Sequence, residues 1–217
     1  MALNMNLFAR RRGGDADGQD LAVHANAANE LLVAQGLPKY VEVTRKYDLF
    51  ATMNTSAAAA LVVRPSTVSN FTLYNGESSG GKIYIIDRMW AFNLVSTAAE
   101  ARSGMWFCVH PTGMTAPTND ITARSSLRGT DGTLATNSIF DNGATVVADG
   151  WFPAGNFSTV EPTGVLPGAI MEFNFEGRVI LPPTAAISGQ VVSSVTGNTF
   201  TMGISWWEVP ASALPLS

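Results

Sequence analysis

The chain has 217 residues, a length that a single all-β domain can fill. Lys and Arg number 13 and Asp and Glu 17, giving a net charge of −4, and charged residues make up 14% of the chain against about 25% in an average soluble protein. The acidic balance excludes a general electrostatic attraction to nucleic acid or anionic lipid. The missing charge, replaced by small polar and apolar residues, suits a surface held against other chains, where charged groups would cost desolvation energy.

In chain order, residues 1–39 are expected to form an arm and one helix, and residues 40–217 a β-domain. The arm covers residues 1–19: an apolar tip with Leu7 and Phe8, then Arg10, Arg11 and Arg12, then a Gly- and Asp-rich run that cannot build a core. Charge follows the apolar residues instead of preceding them, and the apolar core of a signal peptide is missing. Three arginines on an acidic chain, with no aromatic stacking pattern beside them, fit an acidic groove on a neighbouring protein better than nucleic acid. Leu7, Phe8, Arg10, Arg11 and Arg12 are therefore the candidate docking residues. Asp20 then stands where a helix N-cap should, and Leu21, Ala28, Leu31, Leu32 and Gln35 follow a helical period that ends at Gly36 and Pro38. The longest apolar tract, residues 57–63, is closed by Arg64 and Pro65 and is far too short to span a bilayer. Synthesis in a cytoplasm without a membrane partner is the expectation.

From Tyr40 the texture changes to short β-rich runs. Residues 41–45 and 69–74 alternate, the latter before the turn pair Asn75-Gly76. Residues 82–89 predict a strong strand that 90–96 continue or follow, and further strands are expected at 104–110, 145–148, 169–175, 178–181, 185–192 and 199–209. Turn pairs such as Asn142-Gly143, Asp149-Gly150 and Glu176-Gly177 separate them. Residues 111–157 are rich in Thr, Asn, Asp and Gly and read as a long loop region. Many short strands with no helices between them give the fold class: all-β, an antiparallel jelly-roll sandwich with an extended N-terminal arm and one short helix.

Few motifs carry chemistry. Gly76-Glu77-Ser78-Ser79-Gly80-Gly81-Lys82 nearly matches a phosphate-cradling loop, but Ile83 stands where Ser or Thr is required and a strand follows instead of a helix, so a glycine-rich hairpin turn is the reading. Cys108, the single cysteine, and His110 are two apart on an expected strand and share a face. They could meet as nucleophile and base or as two metal ligands, whereas a packed thiol is the structural alternative. The other histidine, His24, lies in the expected helix, so no metal site and no cofactor are anticipated. Asp120, Asp131, Asp141, Asp149, Glu161, Glu172 and Glu176 are scattered; two could flank a sugar, but turn formation accounts for aspartates beside Gly or Asn. Asn54, Asn70 and Asn156 open glycosylation triplets without a secretion signal to give them meaning. Trp206 and Trp207 must face opposite sides of a strand. Either one is an exposed oligomer anchor, or both are covered within the chain.

The runs Tyr40-Val41-Glu42-Val43-Thr44-Arg45 and Phe71-Thr72-Leu73-Tyr74-Asn75-Gly76, continuing to Lys82-Ile83-Tyr84-Ile85-Ile86, resemble the opening strands of jelly-roll structural proteins from tailed bacteriophages. Leu181-Pro182-Pro183 and Gly203-Ile204-Ser205-Trp206-Trp207-Glu208-Val209-Pro210 are similar to their last two strands, and to the trimeric tumour-necrosis-factor-like jelly roll. The resemblance spans most of residues 40–210 and leaves the middle loops unmatched. It implies a virion component and not an enzyme: a homotrimeric capsid decoration or cement protein, partnered by itself and by the major capsid protein or other virion proteins. A head-fibre or tail receptor-binding module is the alternative, and a carbohydrate-active enzyme on the same fold is a third. Trp206 and Trp207 are the candidate oligomer-interface residues.

Overall fold

The structure, a computed structural model, describes residues 49–55, 57–95, 101–125, 136–146, 149–160 and 170–213, all within the unit Glu42–Ser217. The expected arm, the helix and the strand at 41–45 lie outside the described residues. Among the described residues eleven strands follow in order: β1 (Leu49–Met53), β2 (Ala58–Ala59), β3 (Phe71–Asn75), β4 (Lys82–Val95), β5 (Ala101–His110), β6 (Arg124–Ser125), β7 (Ser138–Asp141), β8 (Trp151–Val160), β9 (Ile170–Leu181), β10 (Ala186–Ser193) and β11 (Thr199–Pro210). The first sheet runs β6-β1-β11-β4-β9 with β2 also on β11, and the second runs β7-β3-β10-β5-β8.

The pairing has a simple logic. Among the long antiparallel pairs, β1 lies on β11, β3 on β10, β4 on β9 and β5 on β8. These strands thus trace one long hairpin, outermost strands paired with each other and innermost likewise, rolled up so that successive rungs fall in alternate sheets. That is the jelly-roll arrangement expected from the sequence.

Alternation fills the space between the sheets. Phe200, Met202, Ile204 and Trp206 of β11 point inward with Phe50, Tyr84, Ile86, Phe71, Leu73, Ile187 and Val191, all fully buried. Phe50 stacks on Trp206 with ring centroids 5.9 Å apart. Toward the β8 and β9 side, Phe175 meets Phe107 and Phe173 edge-on with centroids 5.1 and 4.9 Å apart, and Phe107 stacks on Phe173 at 5.7 Å, geometries that suit the ring quadrupoles.

Three departures from the sequence pattern have physical causes. Residues 82–95 form one strand, β4, whose inward set shifts from Tyr84 and Ile86 to Met89 and Ala91, because Asp87 is an extra residue in the register with β11. Glu176-Gly177 does not reverse the chain: residues 175–178 stand opposite Asp87 alone, with φ of 51° and 76° at Glu176 and Gly177, and β9 continues past them. Strand β8 arises inside the expected loop region. Pro153 and Gly155 discourage a strand assignment, yet β8 is the last strand of its sheet, and an edge position tolerates a missing N–H.

Candidate functional site

Along β5, Met105 and Phe107 enter the core, so Cys108 and His110 face the other side of the second sheet. There Thr72 of β3 and Ser188 of β10 join them, all 0–1% exposed. Ala144, Val146 and Trp151 pack on Cys108. The cover is tied down by Val146 N–H to the Thr67 carbonyl at 2.9 Å and by Trp151 Nε1 to the Ser66 carbonyl at 2.6 Å.

The structure therefore brings Cys108 and His110 together, with Sγ 3.9 Å from Nδ1, while His110 Nε2 lies 2.7 Å from Ser188 Oγ. The electrostatics do not activate them. Burial first, and the charge of Asp149 second, push the thiol up to about 11, and burial lowers the imidazole. Both groups are neutral near pH 7, whereas a nucleophilic cysteine requires a depressed pKa and access. Cys108 Sγ donates instead to the Asp149 carbonyl at 3.3 Å. Among the described residues, no group of three or more His, Cys, Asp and Glu side chains could hold a metal ion.

A second polar cluster closes one end of the core. Because Trp206 points inward, so does Glu208 two residues on, and its side chain has no exposed surface. Lys82 Nζ meets Glu208 Oε2 at 3.0 Å, the Thr136 hydroxyl donates to Oε1, and Trp206 Nε1 lies 3.4 Å from the same oxygen. Tyr84 stands opposite Glu208 in the register; burial, then the Glu208 charge, push its ionisation far up. Burial raises the Glu208 carboxyl as well, and its hydrogen bonds and Lys82 only partly offset this. The sequence reasoning passed over Glu208, although the strand period that sends Trp206 inward also places this carboxylate there.

Other candidates resolve into structural roles. In the glycine-rich run, Gly81 N–H donates to Ser78 O at 2.9 Å to close a turn, and Lys82 is engaged with Glu208. Asp120 accepts from Asn142 N–H at 2.9 Å and Asp141 from Thr118 N–H at 3.1 Å, stapling two loop segments. Glu172 pairs with Arg88 and Glu176 with Arg178. Asp131 and Glu161 lie outside the described residues. Asn54 and Asn70 are 2% and 5% exposed: Asn54 donates to the Asn70 carbonyl at 3.1 Å, and Asn70 Oδ1 accepts from Val191 N–H at 2.9 Å. Both amides are thus internal staples.

Of the two alternatives for the tryptophans, the structure shows the second: both are covered within the chain. Trp206 is 0% and Trp207 6% exposed; Trp206 fills the sandwich core, and Trp207, on the opposite face, packs with Ile83 and Val209. Neither indole is an outward anchor, because the chain covers both sides of β11 itself. Leu7, Phe8, Arg10, Arg11 and Arg12 lie outside the described residues. Large apolar side chains are exposed elsewhere, among them Phe152 at 59%, Ile170 at 61% and Val63 at 65%. A cleft of about 340 Å³ opens among Ser79, Gly80, Thr112, Pro182, Pro183 and Thr184. Among the described residues, no helix is long and apolar enough to cross a membrane. Comparison with protein-family models, with curated proteins and with solved structures gives no match.

Proposed function

We propose that the protein is a structural virion component, a capsid decoration or cement protein that acts as a homotrimer. Its arm residues Leu7, Phe8, Arg10, Arg11 and Arg12 dock on the major capsid protein or another virion protein, and the jelly-roll body supplies the bulk. The role needs no catalysis, cofactor or nucleic-acid contact. The observation that carries this reading is where the chain spends its polar chemistry. Cys108, His110 and Glu208 are buried in hydrogen-bonded clusters, while a surface drawn from a chain with 14% charge leaves Phe152, Ile170 and Val63 in contact with solvent. A charge-poor exterior with large exposed apolar groups suits a part that is covered by neighbours. Three arms on one trimer would bind jointly with far greater avidity than each alone.

Native mass measurement of the purified protein, combined with a copy-number count in assembled particles, tests the reading. A trimer present in hundreds of copies is the expected result; a monomer, or absence from particles, overturns it. A second reading, a head-fibre or tail module that recognises a host surface, draws support from the loop-lined cleft beside Thr112 and Thr184. Binding of host glycans by the isolated protein, with only a handful of copies per particle, would favour that reading.

A further inference from the structure

Three hydroxyls and the His110 imidazole form a line across the outer face of the second sheet, and one carbonyl at its end fixes the direction of every hydrogen bond in it. Ser69 Oγ donates to the Ala144 carbonyl at 3.2 Å, which uses its single hydrogen. Thr72 Oγ1, 3.0 Å from Ser69 Oγ, must then donate to Ser69. Ser188 Oγ, 2.7 Å from Thr72 Oγ1, must donate to Thr72, and His110 Nε2, 2.7 Å from Ser188 Oγ, must donate to Ser188. The imidazole is therefore the Nε2–H tautomer, and its unprotonated Nδ1 lies 3.9 Å from Cys108 Sγ. The thiol hydrogen has a nearer acceptor in the Asp149 carbonyl at 3.3 Å.

A proton added at Nδ1 would find no carboxylate. On β10 the neighbours are Ser188 and Ala186, and on β5 the neighbour is Cys108; the His110 row runs on through Ala186 and Tyr74 to Ile139 of β7, and Asp141 stands on the next row, past Ser188 and Thr72, three strands away. Asp149, beyond the thiol, acts on Cys108, whereas the imidazole feels burial alone. A charged His110 would thus be a buried, unpaired cation, which the protein can relieve only by admitting water. Among the described residues, the segment that shields this face, residues 142–146, is held by Asn142 N–H to Asp120 at 2.9 Å, a backbone bond from Gly143 to Asp141, Val146 N–H to Thr67 O, an isolated bridge between Val68 and Thr145 and the Ser69 bond to Ala144, and by no longer strand ladder.

We propose that residues 142–146 form an acid-released cover over the second sheet, with the neutral His110 relay as its latch, and that lifting the cover exposes Cys108. The inference is independent of the virion role. The full chain has one cysteine, so thiol labelling reports this site alone. The rate of labelling by dithiodipyridine, which reacts with thiols in mild acid, is measured between about pH 7.5 and about pH 5 and divided by the rate for glutathione at each pH. In the opened molecule His110 titrates with an ordinary pKa of about 6.5, so the opening equilibrium gains about tenfold per pH unit below that value and approaches thirtyfold at about pH 5.

That rise, with an unchanged near-ultraviolet circular dichroism spectrum, is the expected result. In His110→Gln, whose amide can still donate to Ser188, the ratio is expected to stay flat. A flat ratio in the wild type, a rise that persists in His110→Gln, or a rise that coincides with loss of the near-ultraviolet signal overturns the proposal. If His110→Gln does not fold, the His24→Gln chain leaves one imidazole for nitrogen NMR. The Nε2–H tautomer with a titration midpoint below about 6.5 supports the latch; the Nδ1–H tautomer, or a midpoint at or above that value, overturns it.

Discussion

A carboxylate with no exposed surface has to be compensated where it stands, and at Glu208 the compensation comes from Lys82, Thr136 and Trp206. Removing the cation while leaving the buried charge is the costly change: Lys82→Met is expected to lower stability by about 3 kcal/mol in urea unfolding at neutral pH. The pH dependence has a definite sign. Burial raises the Glu208 carboxyl above its ordinary value of 4.5, so the folded chain holds this proton more tightly than the unfolded chain. Stability is then lost as pH rises from that value through the raised folded one. Glu208→Gln lacks this loss, so its stability relative to the wild type is expected to improve from about pH 4 to about pH 7, as read from paired urea midpoints. Glycine matters at one core position for reasons of space. A Cβ on Gly189 would lie 2.4 Å from Phe71 Cε1 and 3.0 Å from Met89 Sδ. Gly189→Ala is accordingly expected to cost about 1–3 kcal/mol through overpacking, measured by chemical denaturation.

Strand β8 shows how an element's position decides the value of its side chains. It has 10 residues, none of them charged, and lies at the edge of its sheet. Edge strands are usually protected from further pairing by charge, proline or bulges. Here Pro153 and the register shift against β5 between Gly104 and Trp106 serve that purpose. Phe152 sits beside Phe107, with centroids 6.2 Å apart, yet stays largely in solvent. Replacing it by Ser is expected to change stability by less than about 1 kcal/mol. If this edge is covered in the assembled protein, the same substitution lowers the native mass. Trp206→Ala, by contrast, empties the centre of the sandwich and is expected to cost about 3–5 kcal/mol. Thermal melts of the two variants provide the comparison. Its outcome separates a tryptophan that builds the body from an apolar residue that the body leaves outside.

For the whole molecule, the rolled hairpin sets both folding and use. Leu49 pairs with Trp207 across almost the full described length of the chain, so the two ends of the β-body must meet before the first sheet is complete. Such non-local pairing places refolding in the millisecond-to-second range, which stopped-flow fluorescence of the five tryptophans can follow. Under the proposed role, the body and the arm are separable in effect. Deleting residues 1–19 is expected to leave a folded trimer that no longer joins particles, checked by native mass and by particle co-sedimentation. Unchanged particle binding would contradict the assignment of docking to Leu7, Phe8 and the three arginines.

The sequence by itself determined the fold class, because strand alternation and turn chemistry are local. Residues 69–74, 104–110, 185–192 and 199–209 each announce a strand through their own neighbours, and each coincides with one in the structure. It also placed Cys108 and His110 on one face, since that follows from a period of two. Only the tertiary structure decided what those faces meet. Edge position makes a strand of a run containing Pro153, Asp87 shifts the inward phase of β4, and an arriving segment with Ala144 and Val146 packs over an outward Cys108 and buries it. The fates of Trp206, Trp207 and Glu208 were equally non-local. Alternation says which side chains share a side, but whether that side is core, cover or solvent depends on residues scores of positions away, brought there by the roll of the chain.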